Sequence, residues 1–377
     1  MKKRKIIYIT GTRADFGLMS SILYEINNNP ELDLSLIVTS MHLSKKHGYT
    51  IDLVKNSGLK IDGIIELFDE RTNSNKEMAC SLGKAIIDFT KSFERIKPEI
   101  IIVEGDRFEA LAAAISGAFL NIAVVHVSGG DVSKSIDNSI RHAITKFAHI
   151  HLPGTNKSAE RLIKMGEAPW RVHMVGTPIN KNVCTKKELE SLFKLDFSKP
   201  IILVIQHPVT TQSDKAAEQM KETMEAIKEL NEQTIVIYPN TDAGGDEIIT
   251  VIESYKSLNN LVAIPNVSSE KFMGLLKYSS VIVGNSSAGI VESSYFNTPC
   301  VNIGIRQEGR ERAGNIIDAN HKKKDIINAI KKALTIQFKE NSIDNNPYKF
   351  EGVEKRIVEI LVNLKIDEKL FNKELIC

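Results

Sequence analysis

The chain has only four cysteines in 377 residues, Cys80, Cys184, Cys300 and Cys377, and they form no Cys-x-x-Cys pair. Such spacing suggests neither a disulfide framework nor a zinc site, and a reduced, cytoplasmic setting fits it best. Net charge is nearly absent too: Lys plus Arg (49) against Asp plus Glu (47) leaves +2. There is therefore no electrostatic case for nucleic acid or an anionic membrane, and any bound anion must meet local charges. No apolar run approaches the ~20 residues of a membrane span. The basic start Met1 to Lys5 resembles the first part of a signal peptide, but the apolar run behind it ends at Ile9, so it reads as the solvated start of a strand. The Gly-x-Gly-x-x-Gly of dinucleotide folds is missing where Gly11-Thr-Arg-Ala-Asp15 stands, which leaves NAD with weak support.

With 42% hydrophobic and 25% charged residues, the chain has an ordinary globular composition, and its length suits two domains. Strand-like and helix-like segments alternate throughout, the pattern of parallel sheets covered by helices. Strands are expected at 5–10, 34–39, 63–67, 100–104, 122–127, 150–152 and 172–175, with helices between them. The pattern pauses from Gly176 to Pro200 and restarts with strands at 201–206, 234–238, 262–265, 280–283 and 299–303. The expected fold class is α/β, with two Rossmann-like domains facing across a cleft, residues 1–178 and 179–352. A loop is expected at 341–347, and the C-terminal helix, about 353–377, is expected to pack back on the first domain. Ligands of open parallel sheets bind outside the carboxyl ends of the strands. Polar residues collect at those ends here.

Arg13, in a short loop after the first strand, suits a phosphate; a simple pair with Asp15 is the plain alternative. Asp106 ends a buried strand and begins a helix, as a cap or as an acid/base group whose pKa a closed cleft raises. Asp137 and Arg141 are four apart on one helix face, so they pair or share a ligand. His126, His142, His149 and His151 lack a carboxylate at ligand spacing and are taken as structural; no metal and no cofactor is expected. His207 ends the first strand of the second half and points across the cleft, where it could neutralise a phosphate or relay a proton. In Gly284-Asn-Ser-Ser-Ala-Gly289, a helix expected from Ser287 offers free N–H groups, Ser286 and Ser287 offer hydroxyls, and Gly284 and Gly289 allow close approach. Glu292 suits two ribose hydroxyls. An ordinary helix cap with a solvated glutamate is the alternative for this stretch.

Taken together, Gly11 to Asp15, Gly105-Asp-Arg107, Ser139 to Lys146, Gln206-His-Pro-Val-Thr-Thr211 and Gly284 to Gly289 resemble the hydrolysing UDP-N-acetylglucosamine 2-epimerases of sialic-acid biosynthesis. The resemblance spans nearly the whole chain. It implies a glycosyltransferase-B-like fold, the nucleotide mainly in the second domain, and conversion of UDP-N-acetylglucosamine and water to N-acetylmannosamine and UDP. It also implies a homodimer whose partner is a small-molecule nucleotide sugar. Asp106 and Asp137 match catalytic carboxylates, with Arg141 beside Asp137 and His207 near the diphosphate. Arg13, Ser286, Ser287, Gly289, Glu292 and Arg306 match nucleotide-binding positions, with Arg107 and Asn240 as further ones. One position departs from the pattern His-x-Glu-Gly-Gly: Ser128 stands where the family has a glutamate. Three readings stay open: Asp131 supplies the carboxylate, Ser128 acts through a water, or the substrate is another nucleotide sugar, such as a UDP- or GDP-diacetamido-trideoxy sugar. A glycosyltransferase would share the nucleotide pocket without needing the paired carboxylates. A binding protein that has lost catalysis is the remaining alternative, supported by Ser128.

Overall fold

The computed structural model describes residues 3–45, 49–67, 74–341, 346–374 and 376. Cys377, the first two residues of the basic start and most of the 341–347 loop lie outside the described residues. No described helix is long and apolar enough to cross a membrane.

Apolar runs such as Ile6-Ile-Tyr-Ile9 and Ile100-Ile-Ile-Val103 are buried on both faces, as parallel strands covered by helices must be. The first half contributes β1 (Arg4–Thr10), β2 (Leu32–Thr39), β3 (Ile61–Ile65), β4 (Ile100–Glu104), β5 (Ala123–Val127) and β6 (Ile150–Leu152). The second contributes β7 (Ile201–Ile205), β8 (Gln233–Ile237), β9 (Leu261–Ile264), β10 (Val281–Gly284), β11 (Cys300–Ile303) and β12 (Ile316–Ala319). They form two parallel six-stranded sheets, ordered β3-β2-β1-β4-β5-β6 and β12-β11-β10-β7-β8-β9. Both orders reverse direction once, between β1 and β4 and between β7 and β10. A crevice opens at such a switch point because the flanking connections leave to opposite faces of the sheet.

Two expectations fail. Residues 172–175 are not a strand: Val172 makes a single bridge to His151. The segment runs along β6, with His173 N–H donating to His151 O at 2.9 Å and Val175 N–H to Pro153 O at 3.2 Å, but β6 is only three residues long and supports no further ladder. Conversely, β12 was not expected. It is a half-exposed edge strand that pairs only with β11, so its sequence lacks the buried apolar run that marks the others.

The helix Val353–Asn363 joins the first core, where Val353, Ile357 and Leu361 pack with β1 and with the helix Arg13–Asn28. Arg4 donates to the carbonyls of Leu361 and Val362 at that helix's end. Buried Arg171 donates to Leu370 O and Lys369 O, both at 2.8 Å. These cations satisfy carbonyls that a helix end leaves without partners.

Gly284 ends β10 at φ +132°, and a Cβ there would lie 2.0 Å from Ile205 O of β7. The close approach lets the two strand ends of the second switch point converge on the crevice. Gly284→Ala is expected to cost about 2–4 kcal/mol of stability, from the clash plus the unfavourable φ. Urea denaturation measures it, and a loss under about 0.5 kcal/mol would show that the contact relaxes freely.

Candidate active site

The carboxyl ends of the two sheets enclose a cavity of about 270 Å³. Every side chain singled out above as catalytic or nucleotide-binding lines it, with the exception of Gly289, which packs instead against Cys300, where a Cβ would meet Sγ at 2.8 Å.

The first wall begins with the loop after β1. Asp15 accepts from Gly11 N–H at 3.1 Å, Thr12 N–H at 2.6 Å and Tyr8 OH at 3.3 Å, and from the hydroxyls of Thr10 and Thr12. That capping box starts the helix Arg13–Asn28. Asp15 is thereby saturated by the loop, which overturns the plain Arg13–Asp15 pair. Arg13 Nη1 is buried without a partner, and burial pushes the guanidinium down only to about 10. It is a cation at neutral pH, placed for an anion that the chain itself does not supply.

After β4 the chain turns at Gly105, φ +72°. His126, which burial pushes down to about 3, is neutral and donates from Nε2 to Gly105 O at 2.8 Å. Asp106 caps nothing: the N-cap of the helix Phe108–Phe119 is Arg107, with no side-chain cap bond. Asp106 instead forms an ion pair with Arg141. The expected Asp137–Arg141 partnership is replaced as well, since Asp137 is held by Arg306 of the second half at 2.9 Å. Their spacing put them on one face, but longer-range partners claimed both. Asp131 meets Arg310 at 2.8 Å, and Arg107 meets Asp242 at 2.7 Å. Three buried or half-buried ion pairs therefore join the walls, in a setting where a charge without a partner is costly.

Ser128 sits at φ +60°, in the left-handed region, a conformation that costs energy for a residue other than glycine. Its hydroxyl lies beside the Glu104 carboxylate and favours the charged form. Burial, then the charge of Asp15, pushes Glu104 up to about 7, against the pull of the Ser128 hydroxyl.

On the second wall, His207 is clamped by Asn285, which accepts from the His207 N–H at 2.7 Å and donates to its carbonyl at 2.8 Å. Nδ1 accepts from Asn240 N–H at 3.1 Å, so the proton of the neutral ring is on Nε2. Burial, then Arg306, pushes this histidine down to about 3. It is a neutral donor in the cleft, and the positive charge that an anion would meet comes from arginines. The helix expected from Ser287 is not continuous. Ser286 caps a turn of 3-10 helix, Ser287–Gly289, and Glu292 begins a separate four-residue helix. Such short elements carry little dipole, so anion binding here rests on hydroxyls, N–H groups and arginines. Burial pushes Glu292 up as well.

Glu104, Arg310, Tyr348 and Asp242 were not singled out from sequence, although the first three line the cavity. Glu104 had a visible signal, a carboxylate at a strand end directly before Gly105. Arg310 and Tyr348 lie in loops whose position no periodicity reveals. Among the described residues no group of three or more His, Cys, Asp or Glu is arranged to hold a metal ion.

Residues 24–362 match the family described as UDP-N-acetylglucosamine 2-epimerase. A UDP-N,N'-diacetylbacillosamine 2-epimerase (hydrolyzing) of Legionella pneumophila is 36% identical over 375 residues, 98% of each chain. A UDP-N-acetylglucosamine 2-epimerase of Neisseria meningitidis is 34% identical over 338 residues, 88% of each. Among solved structures, that of a UDP-GlcNAc 2-epimerase from Neisseria meningitidis bound to UDP-GlcNAc superposes with a TM-score of 0.80 at 18% identity, covering 96% of this chain and all (100%) of that one. The complex of the Methanocaldococcus jannaschii enzyme with UDP-GlcNAc and UDP gives 0.79 at 20% identity, covering 95% and 99%. These likenesses carry the two-domain, glycosyltransferase-B-like fold.

Glu109, behind the cleft, is only 2% exposed and lies 3.9 Å from Arg107 Nε; burial pushes it up from 4.5 to about 7. Between these values the native state holds a proton that the unfolded chain has released, so stability falls as pH rises from 4.5 to about 7. Glu109→Gln removes that loss. It is expected to raise stability above pH 7 by on the order of 1–3 kcal/mol, with no gain near pH 4.5. Thermal melts at the two pH values test this, and an equal shift at both contradicts it.

Proposed function

The chain belongs to the UDP-N-acetylglucosamine 2-epimerase family, and from that premise we propose that it is a hydrolysing 2-epimerase, turning UDP-N-acetylglucosamine and water into N-acetylmannosamine and UDP. The observation that carries this reading is one cleft between the two sheets lined by Arg13, whose Nη1 is buried without a partner, and by the carboxylates Asp106 and Asp137.

In the proposed reaction a base takes the C2 proton while the C1–O bond breaks. The C2–H electron pair becomes the C1=C2 bond of a 2-acetamidoglucal, and UDP leaves with the C1–O pair. Water then adds at C1 as C2 takes a proton on its other face. Two transfers on opposite faces need at least two acid/base groups, and the carboxylates lining the cleft, Asp106 and Asp137 among them, are the candidates. Arg13, Arg306, Ser286 and Ser287 hold the diphosphate in this reading, and neutral His207 donates to it from Nε2. Glu292 accepts from the ribose hydroxyls. Arg141 positions Asp106, while Arg107 and Asn240 tie the walls through Asp242. The proposed division is 1–178 and 179–352, and the proposed state is a cytoplasmic homodimer.

A second substrate, a UDP-diacetamido-trideoxy sugar, is favoured by the 36% identity to the Legionella relative. Chromatography of UDP and of the free sugar, without any acceptor, is expected to find both released from one of the two substrates. Binding of both without UDP release contradicts the reading. Asp137→Asn is expected to lower turnover at least ~100-fold while UDP affinity, by calorimetry, changes less than about tenfold. An unchanged rate removes Asp137 from the mechanism.

A further inference from the structure

A group that shuttles a proton near neutral pH must be able to hold that proton and to lose it. In this cleft most carboxylates are already engaged. Asp106, Asp131 and Asp137 each pair with an arginine, so taking up a proton means giving up an ion pair, a costly exchange among side chains largely shielded from water. Asp15 is saturated by five donors from β1 and the loop after it. Glu292 stands on the opposite wall, beside Ser286 and Ser287.

Glu104 differs from all of these. Among the described residues it forms no ion pair, and the neighbour that favours its charged form most is a neutral hydroxyl, that of Ser128. It ends β4 one residue before the Gly105 turn and two before Asp106, and the register of the sheet sets it against Val127, directly before Ser128. The carboxylate thus reaches the cavity beside Asp106, on the wall where the reading above puts the sugar.

Resting on that reading, we infer that Glu104 is one of the two groups that exchange a proton with C2, with Ser128 positioned to hold its carboxylate toward the cavity. In the forward direction the ionised Glu104 takes the C2 proton as UDP departs, or, protonated, it delivers a proton to C2 of the glycal while water adds at C1. Either way one proton moves between Glu104 and C2, and the second group on the opposite face completes the balance. The groups facing Glu104 are Tyr8 and Asp15 from β1 and its helix, Arg141, and Glu292 from across the cleft. Burial and the two carboxylates raise it to about 7, while Ser128 and Arg141 oppose them. Both protonation states are therefore populated at neutral pH.

The inference also answers the departure at Ser128. A serine hydroxyl cannot replace a carboxylate as an acid or base, but it can hold one that arrives from the neighbouring strand. This makes Asp131, fixed by Arg310, unnecessary as the substitute.

Glu104→Gln keeps the size and the acceptor for Ser128 but removes the titration. It is expected to lower turnover at least ~100-fold with UDP affinity within about threefold of wild type. In Ser128→Ala the carboxylate remains but loses a hydroxyl that favours its charged form, so the limb of the kcat/KM profile that Glu104 sets, the acidic one if it is the base and the alkaline one if it is the acid, is expected to move to higher pH. Turnover of Glu104→Gln within about threefold of wild type overturns the inference. So does a limb that stays in place in Ser128→Ala. In both cases an active wild-type enzyme leaves the epimerase reading standing. A wild-type protein that binds the nucleotide sugars and releases no UDP overturns that reading, and the inference with it.

Discussion

The cleft is organised by guanidinium–carboxylate pairs, and the rest of the site depends on where those pairs fall. Arg306–Asp137, Arg310–Asp131 and Arg107–Asp242 each join a residue of one half to a residue of the other. For side chains this largely buried, leaving one member of such a pair without its partner is costly. The two sheets are consequently tied at their carboxyl ends, and most of the charges lining the cavity are answered within the protein. What is left over defines the chemistry. Arg13 is a cation with a buried, unpartnered nitrogen, and Glu104 is a carboxylate that forms no ion pair among the described residues, with the Ser128 hydroxyl beside it. One suits a phosphate and the other a proton.

This division follows from chain geometry. Both sheets reverse order once, so each opens a crevice at its switch point, and the crevices face each other. Strand ends deliver short polar loops there: Gly11 to Asp15 from β1, Glu104 to Arg107 from β4, Ser128 to Asp131 from β5, and His207, Asn240 and Ser286 from the second sheet. The histidines in the first sheet are absorbed by support. His126 props the Gly105 turn, His149 accepts from Val124 N–H, and His151 is held by Glu167. The cleft uses arginine for charge and histidine for neutral hydrogen bonding, because burial keeps imidazoles uncharged here while guanidinium groups keep their protons.

The sequence made the α/β architecture and the cleft-lining residues readable because continuous apolar runs mark buried parallel strands, and polar residues follow at their ends. It misplaced elements where that signal fades. The 172–175 segment is apolar enough for a strand but meets a three-residue neighbour, and β12 lies at an edge, half exposed. Site residues were legible one by one, whereas their partners were not. Spacing placed Asp137 beside Arg141, yet Arg306, 169 positions away, is its partner. Glu104 escaped notice because a glutamate ending a strand looks like a solvated one until the fold closes Asp15, Ser128 and Glu292 around it. Sequence periodicity reports which face is buried, and it carries no information about which distant charge arrives there.

The central claim is that this cleft moves a proton at C2 of a nucleotide-bound amino sugar. Mass spectrometry of the sugar released by the wild-type protein in deuterated water tests it most directly. The account predicts a 2-epimerised sugar carrying one deuterium at C2, because the original hydrogen leaves on one face and a solvent-derived one arrives on the other. A released sugar that keeps its C2 hydrogen and its original configuration would mean that water attacks C1 directly, and would contradict the account.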